Sequence, residues 1–398
     1  MNLKNKTIIL GVTGSIAAYK MANVASALAK AHCDVHTIMT KNATEIITPL
    51  TFSTLTGNNC IVDTFDKTIN YNVAHVALAK RSDLLLIAPA TANIIAKLAY
   101  GLADDMLTTT ALACTCPKII APAMNTAMYN NPIVQKNINI LKDAGYIVID
   151  PAEGMLACKD LGVGKLADES LILDYIQKLI AKPKDMNELS ILITAGPTQE
   201  AIDPVRFITN HSSGKMGYAL AYEAMLRGAN VTLVSGPTNC NPIPFTNHIS
   251  VNSSQEMYDK VMEIEKDFHI IIKAAAVADY TPETYVNHKV KKSDGNLEIS
   301  LKRTHDILKS LGENKNPKQY LCGFAMETEN LIENSKKKLK NKKADMIVAN
   351  SLSTPGAGFS GDTNVVTLIT QNNITELPIM TKSEVAEHIL NHILANLL

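Results

Sequence analysis

The chain has 398 residues, 46% of them apolar and 19% charged, a balance that supports two to three folded domains and excludes a disordered chain. Lys plus Arg and Asp plus Glu number 38 each, so no net charge marks a nucleic-acid partner or an acidic membrane surface. No signal-peptide pattern opens the chain, no apolar run is long enough to span a bilayer, and the seven cysteines are scattered and odd in number, so a reduced cytoplasmic protein is expected.

Residues 7–10 read as the first strand, followed by Gly11-Val12-Thr13-Gly14-Ser15 and a helix-like run over 16–31. Further strands are expected at 34–39, 84–88, 118–121 and 146–149, with helical patterns between them. Cys114 and Cys116 have poor spacing for zinc or redox work and read as core. The polar stretch 181–189 contains a proline, lacks periodicity and reads as a linker. The second half repeats the opening, with a strand at 191–194, then Ala195-Gly196-Pro197-Thr198, and a helix at 216–228 after a long loop. Strands at 231–235, 270–274, 346–349 and 364–369, a Lys-rich helix over 326–343 and a closing helix at 382–397 complete the pattern. Strands alternating with helices give an α/β chain of two doubly wound parallel-sheet (Rossmann-like) domains, 1–180 and 190–398.

Residues 121–132 read Ala-Pro-Ala-Met-Asn-Thr-Ala-Met-Tyr-Asn-Asn-Pro, just past a strand end. Ligands bind at such ends in parallel sheets. Asn125 can grip a carboxylate and a neighbouring group together, between the soft walls of Met124 and Met128. The same residues also read as a helix N-cap with core methionines. Gly11 to Ser15 is a glycine turn whose backbone N–H groups, with the Ser15 hydroxyl, form an anion site. Its spacing is not the dinucleotide fingerprint G-x-G-x-x-G. Ala88-Pro89-Ala90-Thr91-Ala92-Asn93 offers a hydroxyl and an amide at another strand end. Two such loops fit a phosphorylated ligand such as flavin mononucleotide (FMN). His75, in an apolar helical stretch, is either a packed histidine or a group that orients substrate and moves a proton. Cys158 lies in a segment rich in glycine and charge that reads as a mobile loop. A thiol there is either incidental or an acid.

In order and spacing, Gly11 to Ser15, His75, Ala88 to Asn93, Pro122 to Met128 and the Cys158 segment resemble the flavin-dependent cysteine decarboxylases. The specific element is P-x-M-N-x-x-M. The resemblance extends to the decarboxylase half of the bifunctional coenzyme A biosynthesis family, phosphopantothenoylcysteine decarboxylase/phosphopantothenate–cysteine ligase. It implies a flavodoxin-like flavoprotein domain with FMN held near Gly11, Gly14, Ser15, Thr40, Thr91, Asn93 and Thr108. It also implies oxidation of the substrate's cysteine side chain to a thioaldehyde, loss of the carboxylate, and reduction of the resulting enethiol. His75 and Asn125 would hold and activate the substrate, and Cys158 would donate a proton in the last step. Tyr129 stands where the family usually has Trp, and Lys159 where it usually has Gly.

In the second half, Gly196-Pro197-Thr198, residues 203–210 with Arg206 and Asn210, and Ser212-Ser213-Gly214-Lys215-Met216-Gly217 suggest phosphate binding. The P-loop pattern is absent, because Met216 follows Gly214-Lys215. Residues 274–280 place small side chains after a buried strand, so a ligand can approach the backbone. Asp279 there suits a base, a ribose or a metal, or else caps a helix. Lys289, Lys291 and Lys292 precede a turn, and six lysines between 336 and 343 look like a solvated helix face. Of these, Lys338 and Lys342 share one side and can meet phosphates.

These segments, with Gly323-Phe324-Ala325 and residues 358–364, resemble the phosphopantothenate–cysteine ligase domain. The resemblance implies that the carboxylate of 4′-phosphopantothenate attacks CTP to give an acyl-cytidylate, which the amine of cysteine then opens. Lys289 would stabilise charge in the first step. Asn210 would hold the intermediate, with Arg206 nearby. Ala275, Asp279, His305, Asp306, Ile307, Leu308, Phe324, Lys338 and Lys342 would line the substrate and nucleotide pocket. Magnesium (Mg2+) would bridge phosphates, with ligands unassigned. Met326 stands where relatives often have a small residue. The resemblance also implies a homo-oligomer, with trimers of one half joined through dimers of the other into a dodecamer. A regulatory flavoprotein without turnover, and a decarboxylase of peptide cysteines, are the rival readings. The retained His75, Asn125, Cys158, Asn210 and Lys289 oppose the first, and the fused second half opposes the second.

Overall fold

A computed structural model describes residues 3–65, 74–156, 159–290, 298–327, 329–351 and 361–397. The chain forms two compact units, Met1–Lys182 and Pro183–Leu398.

The strands of the first unit are β1 (Thr7–Val12), β2 (Asp34–Met39), β3 (Leu84–Ala90), β4 (Lys118–Pro122), β5 (Tyr146–Val148), β6 (Ala152–Met155) and β7 (Leu161–Lys165). Its helices are α1 (Met21–Lys30), α2 (Lys41–Thr44), α3 (Pro49–Thr56), α4 (Ala74–Arg81), α5 (Ala92–Ala99), α6 (Met106–Ala113), α7 (Thr126–Tyr129), α8 (Pro132–Asp143) and α9 (Glu169–Ile180). The first five strands form one parallel sheet in the order β2-β1-β3-β4-β5, the flavodoxin-like doubly wound order. Their near-continuous apolar runs fit burial on both faces. Ile8, Leu10, Leu84 and Leu86 pack on one face with Val24 and Leu28 of α1, Phe52 of α3 and Ile172 and Ile176 of α9. Ile9, Leu85 and Ile87 pack on the other with Ile94 of α5, Leu107 of α6 and Ile138 and Leu141 of α8. The run over 16–31 is not one helix: a 3-10 turn at Ile16–Lys20 precedes α1. Strands β6 and β7, on either side of the Cys158 segment, pair as an antiparallel hairpin. Cys158 itself lies outside the described residues.

The second unit contains β8 (Ser190–Ala195), β9 (Glu200–Ala201), β10 (Phe207–Ile208), α10 (Lys215–Leu226), β11 (Asn230–Ser235), β12 (Asn247–Ser250), α11 (Ser254–Ile264), β13 (Ile270–Lys273), β14 (Tyr280–Pro282), β15 (Leu301–Arg303), α12 (Ile307–Asn314), β16 (Tyr320–Glu327), α13 (Leu331–Asn341), β17 (Met346–Ser351), β18 (Thr363–Asn364), β19 (Val366–Thr370), β20 (Ile374–Glu376), β21 (Met380–Thr381) and α14 (Lys382–Leu397). The main sheet runs β12-β11-β8-β13-β16-β17-β19-β20. Numbered within the unit, its parallel strands follow the 3-2-1-4-5-6 order of a dinucleotide-type sheet. The last two strands are antiparallel, an addition to the expected parallel sheet.

Two expectations need correction here. Met326 and Glu327 end strand β16, so the Lys-rich helix starts only at Leu331. Residues 183–189 are not a free connector. Met186 is fully buried and its N–H donates to Arg227 O, while Asp185 pairs with Arg227 at 2.6 Å.

Candidate active sites

In the first unit the strand order reverses between β1 and β3, which opens a crevice at their carboxyl ends. Thr13 ties the two loops there. Its buried hydroxyl donates to Pro89 O at 2.6 Å and accepts from Thr91 N at 3.2 Å. Ser15 caps the 3-10 turn through Ala17 N, and Thr91 caps α5 through Ile94 N. The hydroxyl of Thr40, just past β2, is buried without a partner among the described residues. Gly14 packs so close to the α2 segment that a Cβ would lie 2.6 Å from Asn42 Cβ. Asn93 is exposed on α5. The other two expected cofactor residues have structural work. A Cβ on Gly11 would lie 2.5 Å from Leu107 Cδ1, and Thr108 is fully buried in a capping box with Asp105.

Asn125 follows β4 and does two things. Its Oδ1 accepts from Ala127 N at 2.8 Å, capping α7, so the bland reading holds. Its Nδ2 donates to the Asp160 carboxylate at 3.1 Å. That carboxylate comes from the hairpin, whose strand β7 docks on the segment through Met124 N to Gly164 O at 3.0 Å. A cavity of about 540 Å³ lies between them, lined by Ile16, Tyr19, Met124, Asn125, Met155 and Leu156. Met124 is half-buried and Met128 exposed. His75 lies half-buried in the first turn of α4 and does not line this cavity. Cys114 is buried and Cys116 half-buried, at the other end of the sheet just ahead of β4.

In the second unit the switch point falls between β8 and β13. Thr194 accepts from Ala275 N at 3.2 Å and Thr198 from Ala278 N at 3.0 Å, so threonines at the end of β8 and in the loop after it fix the loop across the crevice. Two cavities open there. One, of about 240 Å³, is bounded by Ser212 to Gly217, Asn350, Asn364 and Lys382. The other, of about 550 Å³, contains Tyr280, His305, Asp306, Ile307, Leu308 and Lys342. They share Lys273, Val277, Asp279, Phe324 and Lys338. Asp279 is exposed into both and caps no helix. Asp306 caps α12 through Lys309 N at 2.9 Å and pairs with Lys342. Burial works against the Asp306 carboxylate, but the Lys342 contact, the Lys309 N–H and the Lys273 charge together outweigh it and hold the carboxyl below its usual range. His305 stacks on Tyr258, ring centroids 4.7 Å apart. Ile307 and Leu308 are buried, with Leu308 packed over Gly323.

Asn210, Arg206 and Lys289 line neither cavity. Asn210 accepts from Ser212 N at 3.1 Å and donates to Ala276 O at 2.5 Å, joining the Ser212–Gly217 loop to the segment after β13. Arg206 pairs with the buried Asp203 at 3.3 Å and donates to Val290 O. Asp203 also accepts from Val290 N at 3.1 Å. This pair therefore clamps the backbone beside Lys289, which is exposed. Lys291, Lys292 and residues 358–360 lie outside the described residues.

A flavoprotein family model matches residues 1–181, and the DNA/pantothenate metabolism flavoprotein C-terminal domain model matches 186–397. The chain is 46% identical over 397 residues to the coenzyme A biosynthesis bifunctional protein CoaBC of Bacillus subtilis (strain 168), covering 99% of this chain and 98% of that one. The chain belongs to this family of bifunctional coenzyme A biosynthesis proteins. It is also 46% identical over 355 residues to a cysteine/cysteine sulfinic acid decarboxylase from an unknown prokaryotic organism, covering 88% and 99% of the two chains. Among solved structures it is similar to the C-terminal domain of a CoaBC protein, at 47% identity over 52% of this chain and 95% of that one, with a TM-score of 0.45.

Sequence reading missed several site residues of this family member. Thr13 was visible only as a hydroxyl inside a glycine turn. Asp160 was one charge in a loop, and Asp203 one acid before a proline. Lys273, Asn350 and Lys382 sit at element ends where nothing local marks them, because only the sheet order brings them together. No helix among the described residues is long and apolar enough to cross a membrane.

Proposed function

We propose that the chain converts 4′-phosphopantothenate to 4′-phosphopantetheine in two steps on two separate sites. The second unit joins cysteine to the acid with CTP, and the first removes the carboxyl group of the 4′-phosphopantothenoylcysteine formed. The observation that carries this reading is the Asn125–Asp160 contact. It shows a carboxylate seated on the Asn125 amide, at the wall of a cavity beside the switch point. A substrate carboxylate fits that donor in the same way.

The first site fits FMN. Thr40 has a buried hydroxyl without a partner among the described residues, the Gly14 turn has no room for a side chain, and Ser15 and Thr91 stand at helix starts where phosphate is favoured. Bound there, FMN supplies the two-electron oxidation and reduction between which the carboxylate leaves. Asn125 Nδ2 orients that carboxylate, and Met124 and Leu156 exclude water around it. His75, outside this cavity, holds the substrate together with Asn125, Asn93 serves the cofactor, and the Cys158 thiol supplies the proton at the substrate carbon.

In the second unit, a carboxylate oxygen of 4′-phosphopantothenate bonds to the α-phosphorus of CTP while pyrophosphate leaves. The amine of cysteine then bonds to the acyl carbon, and CMP leaves. Lys289 faces the developing charge, Asn210 holds the loop around the acyl-cytidylate, and Lys338 and Lys342 meet phosphates. Magnesium, with no ligand assigned, would supply charge neutralisation to those phosphates. The same reading includes assembly as a homo-oligomer.

The test is product analysis of the purified chain. Given 4′-phosphopantothenate, CTP, magnesium and cysteine, it should release pyrophosphate and then carbon dioxide. Given 4′-phosphopantothenoylcysteine alone, it should release carbon dioxide without CTP. Release of carbon dioxide from free cysteine or its sulfinic acid, with none from the phosphorylated conjugate, would favour the second relative's activity. Bound flavin without turnover of any of these would favour a regulatory protein.

A further inference from the structure

Lys273 is the last residue of β13, in register with Thr194 of β8 and Gly323 of β16. It therefore stands at the strand end beside the switch point, where this sheet order opens its crevice. Its side chain is half-buried and lines both cavities. Its Nζ donates to Ala275 O at 2.8 Å. Lys338, on α13, donates to Phe324 O at 3.0 Å. Among the described residues neither amine has a carboxylate within ion-pair distance, whereas Lys215 pairs with Asp362 and Lys342 with Asp306. Two partly desolvated cations that hydrogen-bond carbonyl oxygens, and meet Asp279 and Asp306 only beyond ion-pair distance, leave positive charge only partly compensated where the cavities join. Such charge in a low-dielectric cleft favours an anion.

A reaction that joins two substrates must take place where their pockets meet. We propose that Lys273 is a further catalytic residue of the ligation, holding its ammonium against the phosphoryl group that passes from the nucleoside triphosphate to the substrate carboxylate. The proposal rests on the ligase reading above. The carboxylate oxygen bonds to the α-phosphorus as the bond to the pyrophosphate oxygen breaks. Lys273 stabilises the charge on the non-bridging oxygens and neither gains nor loses a proton.

Geometry gives the position and titration gives a signature. Burial pushes the Lys273 ammonium down from 10.5 to about 8, and Lys338 pushes the same way. Asp306, ahead of α12, and Asp279, after β13, oppose the shift. Charge is present below about 8 and lost above it, so the ligation rate should fall as pH rises through that value. Arginine in its place stays charged throughout.

The experiment compares the full-length chain with Lys273→Met and Lys273→Arg. Pyrophosphate release from CTP is followed with 4′-phosphopantothenate and magnesium, without cysteine, across pH. Circular dichroism melts report folding. Lys273→Met should fold and release pyrophosphate roughly a hundredfold or more slowly. Lys273→Arg should keep activity and lose the fall in rate above the Lys273 titration. A folded Lys273→Met with the wild-type rate overturns the proposal. If Lys273→Met fails to fold, an Lys273→Arg profile identical to wild type overturns it instead. A wild-type chain that releases no pyrophosphate from CTP defeats the ligase reading itself, and the proposal with it.

Discussion

Gly164 offers the sharpest test of how the first site is held together. It lies in β7 with φ of 144°, a backbone that side-chain-bearing residues adopt only under strain. A Cβ built on it would stand 2.3 Å from the carbonyl oxygen of Met124, while ordinary contact begins at 3.4 Å. Gly164→Ala must therefore move the hairpin and the Met124 segment apart by about 1 Å, against their 3.0 Å backbone hydrogen bond. The strained φ adds a cost on the order of 1–3 kcal/mol. Asn125 is the next residue, so the shift falls on the amide that orients the substrate. A misplacement of about 1 Å in a positioning group costs about a hundredfold in rate. Carbon dioxide release from supplied 4′-phosphopantothenoylcysteine should drop by that factor, while CTP-dependent pyrophosphate release from the same sample stays unchanged. A variant that decarboxylates at the wild-type rate would refute the reasoning, because β7 would then not set the position of Asn125.

Three further outcomes are expected. Asn125→Asp should abolish decarboxylation and leave ligation intact, because its carboxylate repels both the substrate's and that of Asp160; equal loss of both activities in folded protein would count against two separate sites. Cys158→Ser should release carbon dioxide but accumulate the unsaturated thiol, since a hydroxyl is a far weaker acid than a thiol; a normal yield of saturated 4′-phosphopantetheine by mass spectrometry would reject the proton-donor role. Lys289→Gln should form little acyl-cytidylate, roughly a hundredfold less per unit time, whereas Asn210→Asp should form and accumulate it, because a carboxylate facing Ala276 O loosens the loop that holds it. Product analysis with and without cysteine separates the two, and the reverse pattern would exchange their roles.

What could be read from the sequence follows from the range of each interaction. The parallel strands announced themselves because burial on both faces demands an unbroken apolar run, and Leu84 to Ile87 is such a run. The P-x-M-N segment stood out because an amide between two methionines at a strand end is chemically odd. The hairpin did not stand out, because Gly162 and Gly164 look like loop glycines until Thr126 and the Met124 carbonyl are seen against them. Strand β16 ran on into residues whose lysine-rich sequel favoured a helix, and tertiary pairing of Met326 and Glu327 with β17 overrode that preference. Arg206 looked like a phosphate ligand, since nothing local shows that Asp203 and Val290 engage it. The same limit explains Lys273. A lysine ending a strand is ordinary in sequence, and it acquires meaning only when the strand order puts that end beside the switch point. Residues whose role depends on topology are therefore the ones that local reading misses, and Lys273 among them sits where two cavities meet, which suits the chemistry of joining two molecules.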